Sequence, residues 1–202
     1  METTYLLVRH GATSHLGHIV SGRAPGIHLN EEGREQAQGL TRRLRHIPIE
    51  AIYCSPLERA METAQPLAAS LGTEVHENGM FTEIDFGEWT NLRLDELKAV
   101  PLWHPFNSFR SGTRAPGGEL IAEVQGRAVT ELDRLRHVHP GHTVAIFSHS
   151  DVIKYALAYY AGMPLDLASR IEIYPASVSV LAIGEYFPRL ISLNDTGRPL
   201  LS

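Results

Sequence analysis

Arg9 and His10, followed by Gly11, stand where an apolar run of β type, Tyr5-Leu6-Leu7-Val8, stops. In open α/β sheets ligands bind in the crevice beyond the carboxyl ends of the strands, and a cation with an imidazole at that point suits chemistry on a phosphate. The arrangement recurs downstream. A second run, Thr143 to Phe147, ends in Ser148-His149, and a third, Ala51 to Cys54, ends in Ser55-Pro56, after which a helical pattern carries Arg59 near its first turn. If the three runs are neighbours in one parallel sheet, their exits place Arg9, His10, Arg59 and His149 around a single point.

The elements that must position these residues alternate strand and helix. Asn30 supplies an N-cap, Glu31 and Glu32 fill the first turn, and Ala37, Leu40 and Leu44 recur at helical spacing before Pro48. From Leu57, the positions Ala60, Ala64, Leu67, Ala68 and Leu71 form a second apolar face, closed by Gly72. Glu119 to His137 carries a third through Val124, Ala128, Leu132 and Leu135, and Asp151 to Ala161, ending at Gly162, a fourth. Ser177 to Ile183 and Phe187 to Leu193 read as a hairpin joined at Gly184-Glu185, which adds antiparallel edge pairing to a parallel sheet. The expected fold is an α/β three-layer sandwich: a mostly parallel central sheet flanked by helices, with one antiparallel edge strand. With 202 residues, 43% of them hydrophobic, residues 1–202 are expected to form one domain.

One region lacks periodicity. Asp85 to Gly118, with Pro101, Pro105, Pro116 and Gly117-Gly118, reads as a lid-like excursion or a plain surface insertion. Its aromatics, Phe86, Trp89, Trp103, Phe106 and Phe109, either shape a pocket or bury the loop's own underside, and the second is expected of at least half of them. Glu83 lies at the mouth of this excursion, where a carboxyl could overhang the Arg and His cluster.

Composition removes several function classes. The net charge is −5, from 18 basic and 23 acidic residues, whereas nucleic-acid binding rests on basic patches, so no nucleic-acid partner is expected. No secretory segment and no apolar run long enough to span a membrane is present, which implies a soluble, unprocessed protein without a membrane partner. The single cysteine, Cys54, cannot form an internal disulfide and suits a reducing cytoplasm. His15 with His18, and His137, His139 and His142, invite a metal reading but lack the carboxylate or Cys partners and spacing of zinc motifs, so solvated loop histidines are the better reading. Neither a Gly-Lys-Ser/Thr phosphate loop nor a dinucleotide glycine fingerprint occurs, and no Gly-x-Ser-x-Gly elbow surrounds Ser148 or Ser150.

Four segments in register resemble the histidine phosphatase superfamily, in its phosphoglycerate mutase-like branch: Leu7 to Gly11, Cys54 to Ala60, Glu83 to Trp89, and Ser148-His149. Ser21-Gly22-Arg23 with Pro25-Gly26, and Arg170 to Ser179, look further like a bacterial subgroup described as probable phosphomutases. The resemblance implies His10 as nucleophile, Arg9 and Arg59 as clamps on the phosphoryl oxygens, His149 as a further donor, and Glu83 as proton donor to the leaving group. It implies Thr13, Ser21, Gly22 and Arg23 as further phosphate contacts, and no metal or other cofactor. Gly11 would let the loop turn tightly and leave a carbonyl free to hold the second ring nitrogen of His10. Three positions depart from the family pattern: Leu16 where Asn often touches phosphate, Leu120 where Ser is common, and Ser150 where Gly often follows the second histidine. The expected activity is a metal-independent phosphatase of small phosphomonoesters, working through a phosphohistidine on a small phosphorylated metabolite. The alternative is a phosphomutase using the same residues, although mutases of this resemblance are longer; a non-catalytic phosphate-ligand sensor would not need both His10 and Glu83. A homodimer is a further possibility.

Overall fold

The computed structural model describes residues 1–197, so residues 198–202 of the expected domain lie outside the described residues. The first apolar run forms β1 (Thr3–Arg9), followed by α1 (Glu31–Leu44), β2 (Ile49–Cys54), α2 (Glu58–Leu71) and a short β3 (Val75–Glu77). Two short helices, α3 (Leu94–Lys98) and α4 (Trp103–Ser108), precede α5 (Ile121–Val138), β4 (Thr143–Ser148), α6 (Ser150–Tyr160), β5 (Val178–Ile183) and β6 (Pro188–Asp195). The six strands form one sheet in the order β3-β2-β4-β1-β5-β6. β3, β2, β4 and β1 pair in parallel. β5 runs against β1 and β6 against β5, so the reversed strand lies one position in from the edge and β6 closes the hairpin outside it.

Period-two alternation divides the sheet's side chains between two helical layers. Leu6, Val8, Ala145 and Phe147 point to the face covered by Leu40 and Leu44 of α1 and Ala64 and Leu67 of α2. Tyr5, Leu7, Val144 and Ile146 point to the opposite face, under Val124, Ala128 and Leu132 of α5 and Val152 and Ala156 of α6. Each fully buried Leu, Ile or Phe contributes about 1.5–3 kcal/mol of transfer free energy. The buried hydroxyl of Tyr5 is satisfied by donating to Leu132 O at 2.7 Å. The helix ends follow the chain's own signals. Asn30 Oδ1 accepts from Gly33 N at 2.8 Å at the start of α1, and Gly72 ends α2 in the left-handed region at φ +66°.

The insertion is a closed loop on a narrow neck. Glu88 N donates to Pro116 O at 2.9 Å, and Glu119 N donates to Asp85 O at 2.8 Å. The strands of the neck lie so close that a Cβ on Gly87 would sit 2.1 Å from Pro116 O and one on Gly118 2.3 Å from Asp85 O. Beyond the neck, Trp89 and Phe106 are buried, with ring centroids 5.1 Å apart, and Trp103 packs at 5.6 Å from Trp89. Most of the insertion's aromatics therefore bury its own underside, with Phe109 exposed. Arg110 docks the insertion on α6: its Nη1 donates to Asp151 Oδ2 at 2.9 Å and to Tyr155 OH at 3.2 Å, and its guanidinium lies over the Phe106 ring.

Candidate active site

Because β2, β4 and β1 are parallel neighbours, their carboxyl ends finish side by side, with Arg9 opposite Ser148 and Cys54 opposite Phe147. The ladder runs one residue further, as His10 N donates to Ser148 O at 3.0 Å and Ser55 N to Phe147 O at 2.9 Å. His10, Ser55 and His149 are thereby delivered to one edge on rigid elements.

The His10 ring is buried, and its Nδ1 lies 2.7 Å from Gly11 O. A carbonyl only accepts, so Nδ1 carries the proton and Nε2 presents its lone pair. Burial, followed by the charges of Arg59 and Arg9, holds the ring pKa well below its ordinary value, so the imidazole is neutral. Gly11 is needed for contact rather than for the turn anticipated from the sequence, since its φ is not among the positive ones. A Cβ there would sit 2.7 Å from Gly33 O, and one on Gly33 would sit 2.1 Å from Ala12 O. The loop after β1 thus crosses the first turn of α1 at backbone contact.

Arg59, in the first turn of α2, is almost wholly buried; its Nη2 donates to Gly22 O at 2.9 Å and its Nε lies 3.3 Å from His10 Nε2. Gly22, at φ +49°, turns its carbonyl to that guanidinium. Arg9 Nη1 donates to Ile173 O at 2.5 Å. His149 caps α6, its ring 5.1 Å from that of His10, with Nε2 2.7 Å from Ser55 Oγ and Nδ1 3.9 Å from Glu83 Oε2. Among the described residues, five buried side-chain polar atoms have no hydrogen-bond partner, and three of them are Arg9 Nε, Arg59 Nη1 and His149 Nδ1. Buried polar groups are nearly always paired. Three unpaired nitrogens on three residues around one imidazole, two of them guanidinium donors, have the chemistry to receive an anion with several acceptor oxygens.

Glu83 closes this receptor from above. Its Oε1 accepts from Ile84 N at 2.9 Å. Burial, and next the charge of Asp151, push its pKa up to about 7 against the opposing pull of Arg59 and Arg9. Its backbone is pinned as well. Glu83 O accepts from Arg23 Nε at 2.8 Å and from Arg127 Nη2 at 3.2 Å, Arg127 Nη1 donates to Met80 O at 2.6 Å, and Glu119 binds both guanidiniums, at 2.7 Å to Arg23 and 3.2 Å to Arg127. Ser148 Oγ donates to Phe81 O at 2.7 Å, which ties the same segment to β4.

The structure brings together Arg9, His10, Arg59, Glu83 and His149. Gly22 and Arg23 meet them through a carbonyl and through the backbone of Glu83. Thr13 is buried and bridges to Leu29, while Ser21 Oγ lies 3.2 Å from His15 Nδ1. Leu16 is half exposed, Leu120 precedes α5, and Ser150 opens α6. His139 and His142 both meet Glu50, away from this edge. Ser55, Gly33, Glu119 and Arg127 were not anticipated. No motif marks the last two, whereas Ser55 stands at a strand exit, the signal that selected His10 and His149.

The histidine phosphatase superfamily (branch 1) model matches residues 5–196. Among curated relatives, the chain is 30% identical to phosphoserine phosphatase 1 of Hydrogenobacter thermophilus over 200 residues, covering 95% of this chain and 92% of that one. It is 33% identical to phosphoglycerate mutase-like protein 4 of Arabidopsis thaliana over 155 residues, 74% of this chain and 67% of that one. A solved structure of a phosphoserine phosphatase variant from Entamoeba histolytica, in complex with phosphoserine, superposes with a TM-score of 0.87 at 27% identity, covering 96% of this chain and 98% of that one. With its paired strand-exit histidines, its two buried guanidiniums and a match along almost its whole length, the chain belongs to the histidine phosphatase superfamily, branch 1.

Proposed function

We propose that the protein is a metal-independent phosphatase of small phosphomonoesters that works through a phosphohistidine. The observation that carries this reading is the set of three unpaired buried nitrogens, Arg9 Nε, Arg59 Nη1 and His149 Nδ1, around a neutral imidazole that carries its proton on Nδ1 and holds its Nε2 lone pair beside Arg59 Nε, where a phosphoryl group bound by that guanidinium would meet it. The Nε2 lone pair of His10 attacks phosphorus as the bond from phosphorus to the ester oxygen breaks, which splits one displacement into two. Guanidinium groups match phosphoryl oxygens bidentately and stay charged at any working pH. Fixed in place, they stabilise the charge spread over the transferring group without reorganising. Glu83, protonated near neutrality, gives its proton to the leaving alkoxide; the resulting carboxylate then takes a proton from the water that attacks the phosphohistidine and releases inorganic phosphate.

The substrate is a small phosphorylated metabolite, and a phosphorylated hydroxy or amino acid is the first class to test in view of the relatives' names. A cytoplasmic location accords with the buried, unpaired thiol of Cys54, and among the described residues no helix is long and apolar enough to cross a membrane.

The test is phosphate release from p-nitrophenyl phosphate, phosphoserine and a panel of sugar and glycerate phosphates, in chelator, by wild type and His10→Ala side by side. Release by wild type only is expected, with the variant retaining its circular dichroism spectrum. Turnover by His10→Ala would remove the phosphohistidine, dependence on added metal would remove the metal-free mechanism, and isomerised product without phosphate release would identify a mutase.

A further inference from the structure

We infer that Ser55 is a positioning residue that sets which ring nitrogen of His149 carries the proton, and so presents an N–H rather than a lone pair to the substrate's phosphoryl group. This rests on the reading of His149 as a phosphate donor. Ser55 is fully buried at the exit of β2, held by its own N–H to Phe147 O and followed by Pro56, which restricts it to extended backbone. Among the described residues its Oγ has two hydrogen-bonding neighbours, His149 Nε2 at 2.7 Å and Leu57 N, which donates to it at 3.4 Å.

A neutral imidazole has one donor and one acceptor nitrogen, which leaves two arrangements. If Nε2 bore the proton, Ser55 Oγ would receive two N–H groups and its own proton would have no acceptor among the described residues. His149 Nδ1 would then turn a lone pair towards an anion. If Nδ1 bears the proton, Ser55 donates to Nε2 and accepts from Leu57, every group of the serine is used, and the single N–H left over is the buried Nδ1 that has no hydrogen-bond partner. The ring is held neutral by burial and then by the charge of Arg59. Tautomer, not charge, therefore decides whether it donates. His10 is fixed in the complementary way, with Nδ1–H on Gly11 O and the Nε2 lone pair turned to Arg59 Nε at 3.3 Å. The two rings thus present opposite ends of the same chemistry: one offers a lone pair to phosphorus, the other a proton to oxygen.

The experiment records ring ¹⁵N shifts of histidine-labelled wild type, Ser55→Ala and Ser55→Thr without ligand, with His149 assigned by its absence from His149→Gln, alongside turnover of p-nitrophenyl phosphate. Wild type is expected to carry its proton on Nδ1. Ser55→Ala is expected to mix or reverse the tautomers and to lose about tenfold or more in kcat/KM, within the roughly 10²–10³-fold that loss of a whole oxyanion donor costs. Ser55→Thr, which keeps the hydroxyl, restores both readouts. A proton on Nε2 in wild type, or an unchanged Nδ1–H tautomer in Ser55→Ala, would overturn the assignment. If Ser55→Ala does not fold, the wild-type spectrum decides by itself. Absence of phosphate release by wild type with the proton on Nδ1 would count against the hydrolase reading alone.

Discussion

Glu83→Gln separates proton donation from every other contribution of the site, because the amide is nearly isosteric and its oxygen can still accept from Ile84 N. General acid catalysis contributes about 10²–10⁴-fold, or about 3–5 kcal/mol, when the leaving group is a poor one such as an alkoxide. An activated aryl phosphate needs no proton on departure, so Glu83→Gln is expected to lose that factor on phosphoserine or a sugar phosphate and little on p-nitrophenyl phosphate. The sign of the pH effect follows from the raised carboxyl. With a pKa pushed up to about 7, Glu83 is protonated below that pH, and at pH 8 about a tenth of it remains so. Wild-type kcat/KM on the alkyl substrate therefore falls roughly tenfold per pH unit above neutrality. The neutral His10, held well below its ordinary value, places the rising limb on the acid side. The assay is the ratio of wild type to Glu83→Gln for both substrates from pH 5 to 9, in which the substrate's own ionisation cancels. Equal losses on the two substrate types, or an alkaline descent that survives in Glu83→Gln, would refute the acid role.

Two further outcomes follow from the same geometry. Asp151→Asn removes a charge that raises the Glu83 pKa, so the alkaline limb for an alkyl substrate is expected to move to lower pH, as read from the pH profile; a limb that stays put would detach Asp151 from the acid. Gly33→Ala drives a methyl group to within 2.1 Å of Ala12 O, and overpacking of this kind costs about 1–3 kcal/mol. Its Tm is expected to fall by roughly 2–4 °C for each kcal/mol, and an unchanged Tm would mean that the crossing of the loop over α1 relaxes freely.

The local parts of this molecule were legible because each is written in adjacent residues. Asn30 and the two glutamates after it mark the start of α1, Gly72 marks the end of α2, and the apolar runs before His10 and His149 mark β1 and β4. The convergence of the site was legible only as a condition, since the adjacency of β2, β4 and β1 depends on pairing between residues some hundred positions apart. Antiparallel pairing at the sheet's edge is legible from the hairpin signal at Gly184, which fixes the turn and not which arm meets β1; β5 is that arm and β6 lies outside it. β3 has three residues, and α3 and α4 are too short to be stable alone. The order of α3 and α4 comes from packing on the Trp89 and Phe106 cluster and that of β3 from pairing with β2, which a periodicity reading does not reach. Arg127, Glu119 and Ser55 act through contacts across 44, 34 and 94 positions, and no local pattern announces such contacts.

The neck of the insertion separates two kinds of inheritance in this protein. Glu83 stands just before it in the chain, on a backbone gripped by Arg23 and Arg127, and the two segments of the neck meet so closely that they form a single crosspiece. What lies beyond, from Trp89 to Ala115, is tied to the fold again where Val20 N donates to Leu92 O, Leu94 N to His18 O, Arg110 to Asp151 and Ser111 N to Asp166. Substitutions on its exposed face, at Phe109 for example, leave the grip on the Glu83 backbone untouched. For an engineer, the crosspiece is one join and not the whole seam: a loop grafted between Gly87 and Pro116 must also replace the contacts with His18, Val20 and α6.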